Sequence, residues 1–379
     1  MGTVSGLHAR LGVRRVINAN AHLTRLGGSL MPPPVLEAMR EAAGAFVDMH
    51  ELQRAVSRRL AEITRNEAAL VCAGASAGMF LSTLACMTGR DPHAVSRLVR
   101  GGPDILARRE VVIHCAHRTP YDPAIALAGA RIVQIGNALQ TFEHELETAL
   151  SDRTAAVFYV AGAHVARGAL PLETVIRIAH AAGVPVIVDA AAQLPPPESL
   201  WRFTEAGADL VLFSGGKELR GPQPSGLIVG RAELVAACEG HAAPHQRLGR
   251  PMKVGKEEMA GLLAAVELYL TQDHAAAALR CERITADWVA LLDRLPHVSA
   301  SRDFPGEAGR PLPRALVTFE PALGLAAAAV RATLLEGDPA IDVAVAGERS
   351  IHLNAELLGP AEETIVAERL RAVAAGATR

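Results

Sequence analysis

The chain has 379 residues, about half of them apolar, and a formal net charge of −2 at neutral pH. This length is sufficient for a large domain and a smaller one, and the near-zero charge disfavours a protein that coats nucleic acid or an anionic membrane. The chain has no run of about 18 apolar residues, and its first residues lack the apolar core of a signal peptide. We therefore expect a soluble, cytoplasmic protein.

The first two thirds of the chain predict a layered α/β domain. An arm rich in glycine and proline, residues 18–33, precedes amphipathic helices predicted at Pro34–Phe46 and Glu51–Arg65. From Glu67 to Gly230, short apolar runs alternate with segments of helical period, which is typical of a doubly wound, mainly parallel sheet buried on both faces. The strands are predicted at Ala68–Ala73, Val111–Cys115, Arg131–Ile135, Ala155–Val160, Pro185–Asp189, Leu210–Phe213 and Gly226–Val229.

After Gly230 the pattern changes. One long helix is predicted at Lys256–Leu292, and the βαββα-like tail that follows it predicts a smaller α+β domain. The predicted organisation is an N-terminal arm and helix at residues 1–45, a large ligand-binding domain at 46–250, and the linking helix with the small domain at 251–379.

Two residue types are informative through the way the chain uses them. Lysine occurs only three times, at Lys217, Lys253 and Lys256, whereas the other basic side chains apart from histidine are arginine. A buried lysine can lose its proton and form an imine, which arginine cannot do. The five cysteines are scattered without a CxxC pair, so we expect buried thiols rather than a disulfide framework or a metal site.

Three segments place anion-binding or reactive groups directly after predicted strands, where open α/β sheets bind their ligands. The turn Gly74-Ala75-Ser76-Ala77-Gly78 opens a helix with small residues and suits a phosphate, although a purely structural turn fits equally well. Asp189 suits a cationic partner such as a protonated pyridine nitrogen, with an N-cap role as the alternative. In Ser214-Gly215-Gly216-Lys217, the serine can reach a phosphate while the lysine turns back toward a ring.

A histidine adds a planar side chain to this set. His117, just past the strand Val111–Cys115, is the candidate for stacking on a ligand ring, and His114 is the competing candidate. His114 falls inside the strand, where a packing role is expected. The chain has neither the GxxxxGK[ST] loop of P-loop proteins nor the GxGxxG fingerprint of dinucleotide-binding sheets, which argues against a nicotinamide dehydrogenase.

Together these segments resemble one family. Their pattern is similar to the selenocysteine-synthase-like branch of the fold-type-I pyridoxal-phosphate (PLP) aminotransferase superfamily. Within that branch it is closer to the D-glucosaminate-6-phosphate ammonia-lyase-like enzymes than to the selenium transferases. The resemblance covers most of the chain, thins after about Glu267, and is carried by Val16–Ala19, Thr24–Ser29, Gly74–Gly78, Tyr121-Asp122, Asp189–Gln193 and Ser214–Gln223.

The resemblance implies roles for the residues at the strand ends. Lys217 would carry PLP as a Schiff base, and Asp189 would face the pyridine nitrogen. Ser214 and the Ala75–Ala77 turn would hold the phosphate, and Gln193 would lie near the phenolic oxygen of the cofactor.

The arm departs from the family pattern at the residues expected to border the substrate. The family reads Ile-Asn-Ala-small-Gly-Thr, whereas this chain reads Ile17-Asn18-Ala19-Asn20-Ala21-His22, so His22 is a candidate for contact with a different substrate. Because the arm begins by residue 16 and no basic cluster is present, we expect no tRNA-binding module and no nucleic-acid partner.

Further cationic side chains are candidates for substrate contact. Arg25 and Arg349 each offer a guanidinium fork that fits a carboxylate or a phosphate. Lys256, with Lys253, opens the predicted long helix and is a candidate for contact with an anionic substrate or a neighbouring subunit's cofactor, with a solvated helix start as the alternative. The resemblance implies a site at a subunit interface, so a homodimer or larger homo-oligomer is expected.

These features predict a PLP-dependent lyase of the ammonia-lyase type, which acts on an amino acid or amino sugar acid by α-proton abstraction and β-elimination. Lys217 is then also the expected general base. The same cofactor can instead support racemisation, aldol cleavage or transamination, and the family adds a seryl-tRNA selenium transferase as an alternative. The expected partner is a small molecule, and neither a nucleic acid nor a membrane is expected.

Overall fold

The computed structural model describes residues 6–101 and 106–377. Its strands, in chain order, are β1 (Val16–Ala19), β2 (Ala68–Cys72), β3 (Glu110–His114), β4 (Arg131–Ile135), β5 (Thr154–Val160), β6 (Val186–Asp189), β7 (Leu210–Ser214), β8 (Gly226–Gly230), β9 (Val298–Asp303), β10 (Arg314–Phe319), β11 (Ala340–Val345) and β12 (Ser350–Leu353). Its helices are α1 (Leu7–Arg10), α2 (Pro33–Ala43), α3 (Met49–Ile63), α4 (Ala75–Thr88), α5 (Pro92–Gly101), α6 (Pro123–Leu127), α7 (Glu143–Ala149), α8 (Leu172–Ala181), α9 (Ser199–Glu205), α10 (Ala232–His241), α11 (Lys256–Leu270), α12 (His274–Leu292), α13 (Ala327–Glu336) and α14 (Glu362–Ala377).

A seven-stranded sheet forms the centre of the larger unit. Its strand order is β2-β8-β7-β6-β5-β3-β4, and β8 runs antiparallel to both of its neighbours while the other pairs are parallel. All residues of β3, β5 and β8 are buried, as their apolar runs predicted. The predicted doubly wound α/β domain is confirmed.

Helices cover both faces of this sheet. One face packs against α3, α8 and α11, where Leu60, Val175 and Met259 are fully buried with Val211 of β7. The other face packs against α4 and α10, where Leu84 and Cys238 are buried together with the strand residues that point to that face. Successive residues of one strand therefore belong to different cores, which is the two-residue period of a strand covered on both sides.

The smaller unit contains a five-stranded sheet with the order β1-β11-β12-β10-β9. The strand β1, from the N-terminal arm, pairs in parallel with β11, and the other pairs are antiparallel. Its core includes Trp288 of α12 and Phe319 of β10. The predicted βαββα tail is present, but the sequence did not reveal that β1 and β9 complete its sheet.

The structure divides the chain differently from the predicted boundaries. One compact unit is Met31–Gln272, and the other combines Met1–Leu30 with Asp273–Arg379. The arm is separated from the helix α2 because β1 hydrogen-bonds to β11, whereas α2 packs on α11.

The predicted long helix Lys256–Leu292 is two helices. The first, α11, ends at Leu270, and α12 begins after Asp273, whose carboxylate accepts the backbone N–H of Ala276 at 2.8 Å. The Asp273 side chain accepts a first-turn N–H group that a preceding helical turn would otherwise bind. Because of this cap, α12 begins as a new helix instead of continuing α11.

Asp209 stabilises the amino edge of the large sheet. It is almost fully buried, and its carboxylate lies 2.8 Å from both the Val186 N–H and the His180 ring and 3.1 Å from Arg231. We expect Asp209→Ala to lower the free energy of unfolding by about 2 kcal/mol, because the Val186 N–H is left buried without an acceptor. Urea denaturation measures this change. Glu143→Ala is the control, because it removes a solvent-exposed ion pair with Arg177 and should have little effect.

Candidate active site

The strand register aligns three strand ends at one edge of the large sheet. Gly226, the first residue of β8, pairs with Cys72 at the end of β2 and with Ser214 at the end of β7. The turn that follows β2, the end of β7 and the start of β8 therefore lie side by side, although about 150 residues separate the first from the last.

Gly226 also brings the backbone into close contact with the turn that precedes α4. A Cβ at Gly226 would lie 2.5 Å from the Gly74 carbonyl carbon and 2.8 Å from the Ala75 nitrogen. The first-turn N–H groups of α4 have no acceptor within the helix. Among the described residues other than Gly74 and its two chain neighbours, no heavy atom lies within 4 Å of a Cβ placed on Gly74. This turn combines backbone N–H donors and the positive end of a helix dipole with an uncrowded position at Gly74, which suits a phosphate.

The Lys217 segment is a loop closed by hydrogen bonds. Between β7 and β8, the Gly215 N–H donates to the Ser225 carbonyl and the Gly221 N–H donates to the Gly215 carbonyl, each at 2.8 Å. Ser225 is fully buried, and its hydroxyl donates to the Pro222 carbonyl at 2.6 Å. These bonds hold the backbone on both sides of Lys217, whose side chain is only partly exposed.

Asp189 lies at the same edge and on the same face as Ser214. It pairs with Leu212 of β7 and Val160 of β5, and the two-residue period of a strand directs Asp189, Leu212 and Ser214 to the face covered by α4. Burial raises the pKa of the Asp189 carboxyl, while the Ala191 N–H, at 2.9 Å, and the charge of Lys217 act in the opposite direction. The structure thus brings Asp189 within electrostatic reach of Lys217.

His117 is completely buried beside the end of β5. Its Nδ1 accepts the Val160 N–H at 3.2 Å, which leaves the proton of the neutral ring on Nε2, and no hydrogen-bond partner for Nε2 is found among the described residues. Burial, followed by the neighbouring His114 and His164, lowers the pKa of His117 to about 3. The ring meets Tyr159 edge-on, with the centroids 4.5 Å apart. His117 is therefore neutral and offers one N–H donor.

His114, the competing candidate, is also fully buried, with its ring centroid 4.8 Å from that of His117. Burial lowers its pKa to about 4. The sequence could not separate the two histidines, and the structure places their rings in contact.

His164 lies close to Gln193 just after the end of β5. A Cβ on Gly162 would lie 2.6 Å from the His164 ring and 3.0 Å from the Gln193 side-chain nitrogen, so these two side chains converge over one glycine. Gln193 is buried, and His164 is exposed. Sequence reasoning missed His164, although it lies four residues after a predicted strand, the kind of position that identified Asp189.

Lys256 has a structural contact that its predicted role did not include. Its ammonium donates to the carbonyls of Ala42, Ala43 and Ala45 at 2.6, 3.0 and 2.8 Å. Two of these carbonyls belong to the last turn of α2 and the third lies two residues beyond it, at the helix C-terminus, where a cation is favoured. All three N–H donors of Lys256 are used, so none is available to a substrate in this conformation. Lys253 is exposed.

The remaining substrate candidates belong to the smaller unit. Arg25 pairs with the fully buried Asp342, which also accepts from Asn20 at 3.0 Å and from Arg331 at 2.8 Å. The Arg25 side chain remains about half exposed. Asp342 thus fastens the N-terminal arm to β11.

His22 and Arg349 occupy very different environments in the smaller unit. The His22 side chain is nearly buried, with Nδ1 3.9 Å from the Glu356 carboxylate, and Glu356 also pairs with the buried Arg310. Arg349 is exposed in the turn between β11 and β12. The buried pair of Glu356 and Arg310 was not predicted, because Arg310 lies in a proline- and glycine-rich segment that gives no signal of burial.

Comparison with known proteins decides the family. The family model for L-seryl-tRNA selenium transferase matches residues 16–294. The chain belongs to this family. Among curated relatives, it is 40% identical over 343 residues to the 5'-C-glycyluridine monooxygenase-decarboxylase of a Streptomyces species, covering 88% of this chain and 83% of that one. It is 33% identical over 380 residues to the D-glucosaminate-6-phosphate ammonia lyase of Salmonella typhimurium, covering 97% and 98%.

Solved structures agree with this assignment. The structure of D-glucosaminate-6-phosphate ammonia-lyase matches over the whole of both chains with a TM-score of 0.85 and 32% identity. A PLP-containing serine palmitoyltransferase from S. paucimobilis matches with a TM-score of 0.60 and 14% identity over 96% of this chain and 88% of that one, which shows the shared fold. The chain therefore shares its fold with a PLP-containing enzyme. Among the described residues, no helix combines the length and apolar character needed to cross a bilayer.

The contact at Gly226 gives a direct test of the site. We expect Gly226→Ala to weaken retention of PLP strongly, because the added methyl group would displace the turn at Gly74 and Ala75. The measurement is the visible absorbance of the bound cofactor after dialysis. Gly376→Ala, in an open position on α14, is the matched control and should retain the cofactor as the wild type does.

The buried histidines give a test of pH dependence. His241, the last residue of α10, is a third buried histidine. Burial lowers the pKa of His117 to about 3 and those of His114 and His241 to about 4, so near pH 5 all three bind a proton only when the chain unfolds. Stability should therefore be highest above about pH 6.5 and fall as the pH is lowered toward 4, by about 1.4 kcal/mol per pH unit for each histidine. Urea denaturation of the cofactor-free protein at several pH values measures the slope. His117→Asn should reduce it by one histidine's share, and an unchanged slope would contradict the assignment.

Proposed function

We propose that this protein is a PLP-dependent lyase that releases ammonia from an amino acid or amino sugar acid through α-proton abstraction and β-elimination. The observation that carries the proposal is the shared edge at which Gly226 aligns the Gly74 turn, Ser214 and the Lys217 loop beside Asp189. The alignment with D-glucosaminate-6-phosphate ammonia lyase over almost the full length of both chains supports the reaction type.

The residues at this edge fit the phosphate of the cofactor. The N–H groups of Ala75, Ser76 and Ala77 in the first turn of α4, together with the Ser214 hydroxyl, would hold the phosphate beside the uncrowded position at Gly74. Backbone donors at a helix N-terminus favour a dianion through both hydrogen bonds and the helix dipole.

Lys217 and Asp189 would hold the ring. Lys217 would bind the cofactor covalently through its amine, and Asp189 would pair with the pyridinium nitrogen. Because burial raises the pKa of Asp189, a cationic partner is needed to keep its carboxylate ionised. When bound, PLP supplies an electron sink for the electron pair that the α-proton leaves behind.

Lys217 would have a second role once the substrate amine replaces it. Its neutral amine, held by the closed loop from Ser214 to Ser225, would accept the α-proton as the general base. His117, neutral and buried, would lie against the cofactor ring with its Nε2–H as a hydrogen-bond donor. Gln193 would lie near the phenolic oxygen of the cofactor.

Substrate contacts are proposed for Arg25, His22 and Arg349. The half-exposed guanidinium of Arg25, oriented by Asp342, and the exposed guanidinium of Arg349 suit the carboxylate or phosphate of a sugar acid. His22, paired with Glu356, would border the substrate where the family has threonine.

We also propose a cytoplasmic homodimer or larger homo-oligomer. Each of the five cysteines is a free thiol, which is typical of a reducing compartment. The family resemblance implies a site at a subunit interface, and most soluble oligomers are homo-oligomers with closed symmetry. A nucleic-acid partner is disfavoured by the net charge of −2.

A second candidate function is the oxidative decarboxylation of an amino acid. It is favoured by the 40% identity to a monooxygenase-decarboxylase. That reaction would consume oxygen and release carbon dioxide, whereas ammonia elimination requires no oxidant, so an oxygen electrode distinguishes the two.

The test uses purified protein and its Lys217→Ala variant, each incubated with PLP. We expect the wild type to gain a visible absorbance band and the variant to lack it, because alanine cannot form the covalent link. With D-glucosaminate 6-phosphate, and with D- and L-serine as simple β-hydroxy amino acids, the wild type should release ammonia and a keto acid under argon. Oxygen uptake with carbon dioxide release would instead favour the second candidate, and a colourless wild type would overturn the cofactor assignment.

A further inference from the structure

The carboxyl end of β5 carries a side-chain cluster that the proposed roles do not fully use. After Val160, the chain turns through Gly162, whose φ of +148° lies in the region that favours glycine. A side chain at this position would meet the His164 ring at 2.6 Å and the Gln193 nitrogen at 3.0 Å. Glycine therefore allows the His164 ring to fold back onto its own turn and approach Gln193.

The location connects His164 with the proposed site. The Ala161 N–H donates to the Asp189 carbonyl at 2.9 Å, so the turn is attached to the strand that carries Asp189. The charge of His164 contributes to the lowered pKa of His117, which places the two rings within electrostatic reach. Gln193, proposed to lie near the phenolic oxygen, is the direct neighbour of His164.

The neighbouring groups are poorly suited to deliver a proton. His117 is fully buried, which lowers its pKa and keeps the ring neutral, and its Nδ1 accepts the Val160 N–H. Asp189 accepts the Ala191 N–H and is proposed to pair with the ring nitrogen. Gln193 does not titrate. The His164 ring is exposed to water, and imidazole is the side chain most often used for proton transfer in catalysis.

We infer that His164 is the general acid that protonates the leaving β-hydroxyl group. This inference rests on the proposed ammonia-lyase function and adds a residue to it. In the elimination, Lys217 accepts the α-proton, the Cβ–O bond breaks with its electron pair on oxygen, and His164 donates a proton to that oxygen to release water. The resulting unsaturated amine is hydrolysed to a keto acid and ammonia, so no oxidant or reductant is required.

The test separates proton abstraction from departure of the leaving group. The variants are His164→Asn and His164→Gln, which keep a hydrogen-bonding group but cannot donate an acidic proton. His144→Asn, at an exposed histidine on α7, is the matched control. The substrates are D-glucosaminate 6-phosphate, the two serine enantiomers, and β-chloroalanine, whose chloride leaves without protonation.

We expect ammonia release from the β-hydroxy substrates to fall about 100- to 10,000-fold in both His164 variants, the range typical of a lost general acid. Exchange of the α-hydrogen in D₂O, measured by NMR, should continue because Lys217 is intact. β-Chloroalanine should react at the wild-type rate, and the His144 control should behave as the wild type throughout.

Two readouts that do not depend on turnover accompany these rates. The PLP dissociation constant, measured by visible absorbance, should be unchanged in His164→Asn, because an acid for the leaving group does not hold the cofactor. In ¹⁵N-histidine NMR spectra of the cofactor-free protein, Gly162→Ala should shift the resonance that is missing from the His164→Asn spectrum. An unshifted resonance would contradict the close contact between this ring and Gly162.

The possible failures are distinguishable. If the wild type eliminates the β-hydroxyl group and His164→Asn does so at the same rate, the role of His164 is overturned while the proposed function stands. If the variant loses hydrogen exchange, β-chloroalanine turnover and cofactor affinity together, His164 is a structural residue and not the acid. A wild type without a visible band or ammonia release would overturn the proposed function and, with it, this role.

Discussion

The close approach between the start of β8 and the turn before α4 is the contact on which the candidate site depends. β8 runs antiparallel between β2 and β7, so Gly226 is level with the ends of both neighbouring strands. Because Gly226 has no side chain, the Gly74 and Ala75 backbone lies directly against it. The N-terminus of α4 and the Ser214–Lys217 segment are thereby held side by side, although they are distant in the sequence.

Burial at this edge shifts the pKa values of two ionisable groups in opposite directions. It raises the pKa of Asp189 and lowers the pKa of His117, so in both cases the neutral form is favoured. A buried carboxyl group of this kind ionises readily only beside a cation. A neutral histidine, in contrast, can donate a hydrogen bond from Nε2–H without adding charge. The site therefore combines a carboxyl group that ionises beside a cation, Asp189, with a neutral hydrogen-bond donor, His117. This combination suits an aromatic cofactor with a protonated ring nitrogen.

The rule that ligands bind at the carboxyl ends of parallel strands predicted much of this site from the sequence. It identified Asp189, Ser214 and Lys217, because each follows an apolar run that reads as a strand. The same rule could have drawn attention to His164, but the segment after β5 carries small residues and no family motif. The substrate contact of Lys256 stays a prediction. Its ammonium binds the end of α2 in this structure, a contact that the sequence could not reveal because it joins residues more than 200 positions apart.

The sequence by itself determined the large α/β domain, the order of its strands along the chain and the residue types available for chemistry, because apolar period and turn residues are local properties. The tertiary structure decided which strand ends are neighbours, that β1 of the arm joins the small sheet, and that Asp273 divides the predicted long helix. It also decided that Asp342 fastens the arm while His164 folds over Gly162 toward Gln193. These outcomes depend on hydrogen bonding and packing between distant segments, whose energies are set by the partner and not by the local sequence.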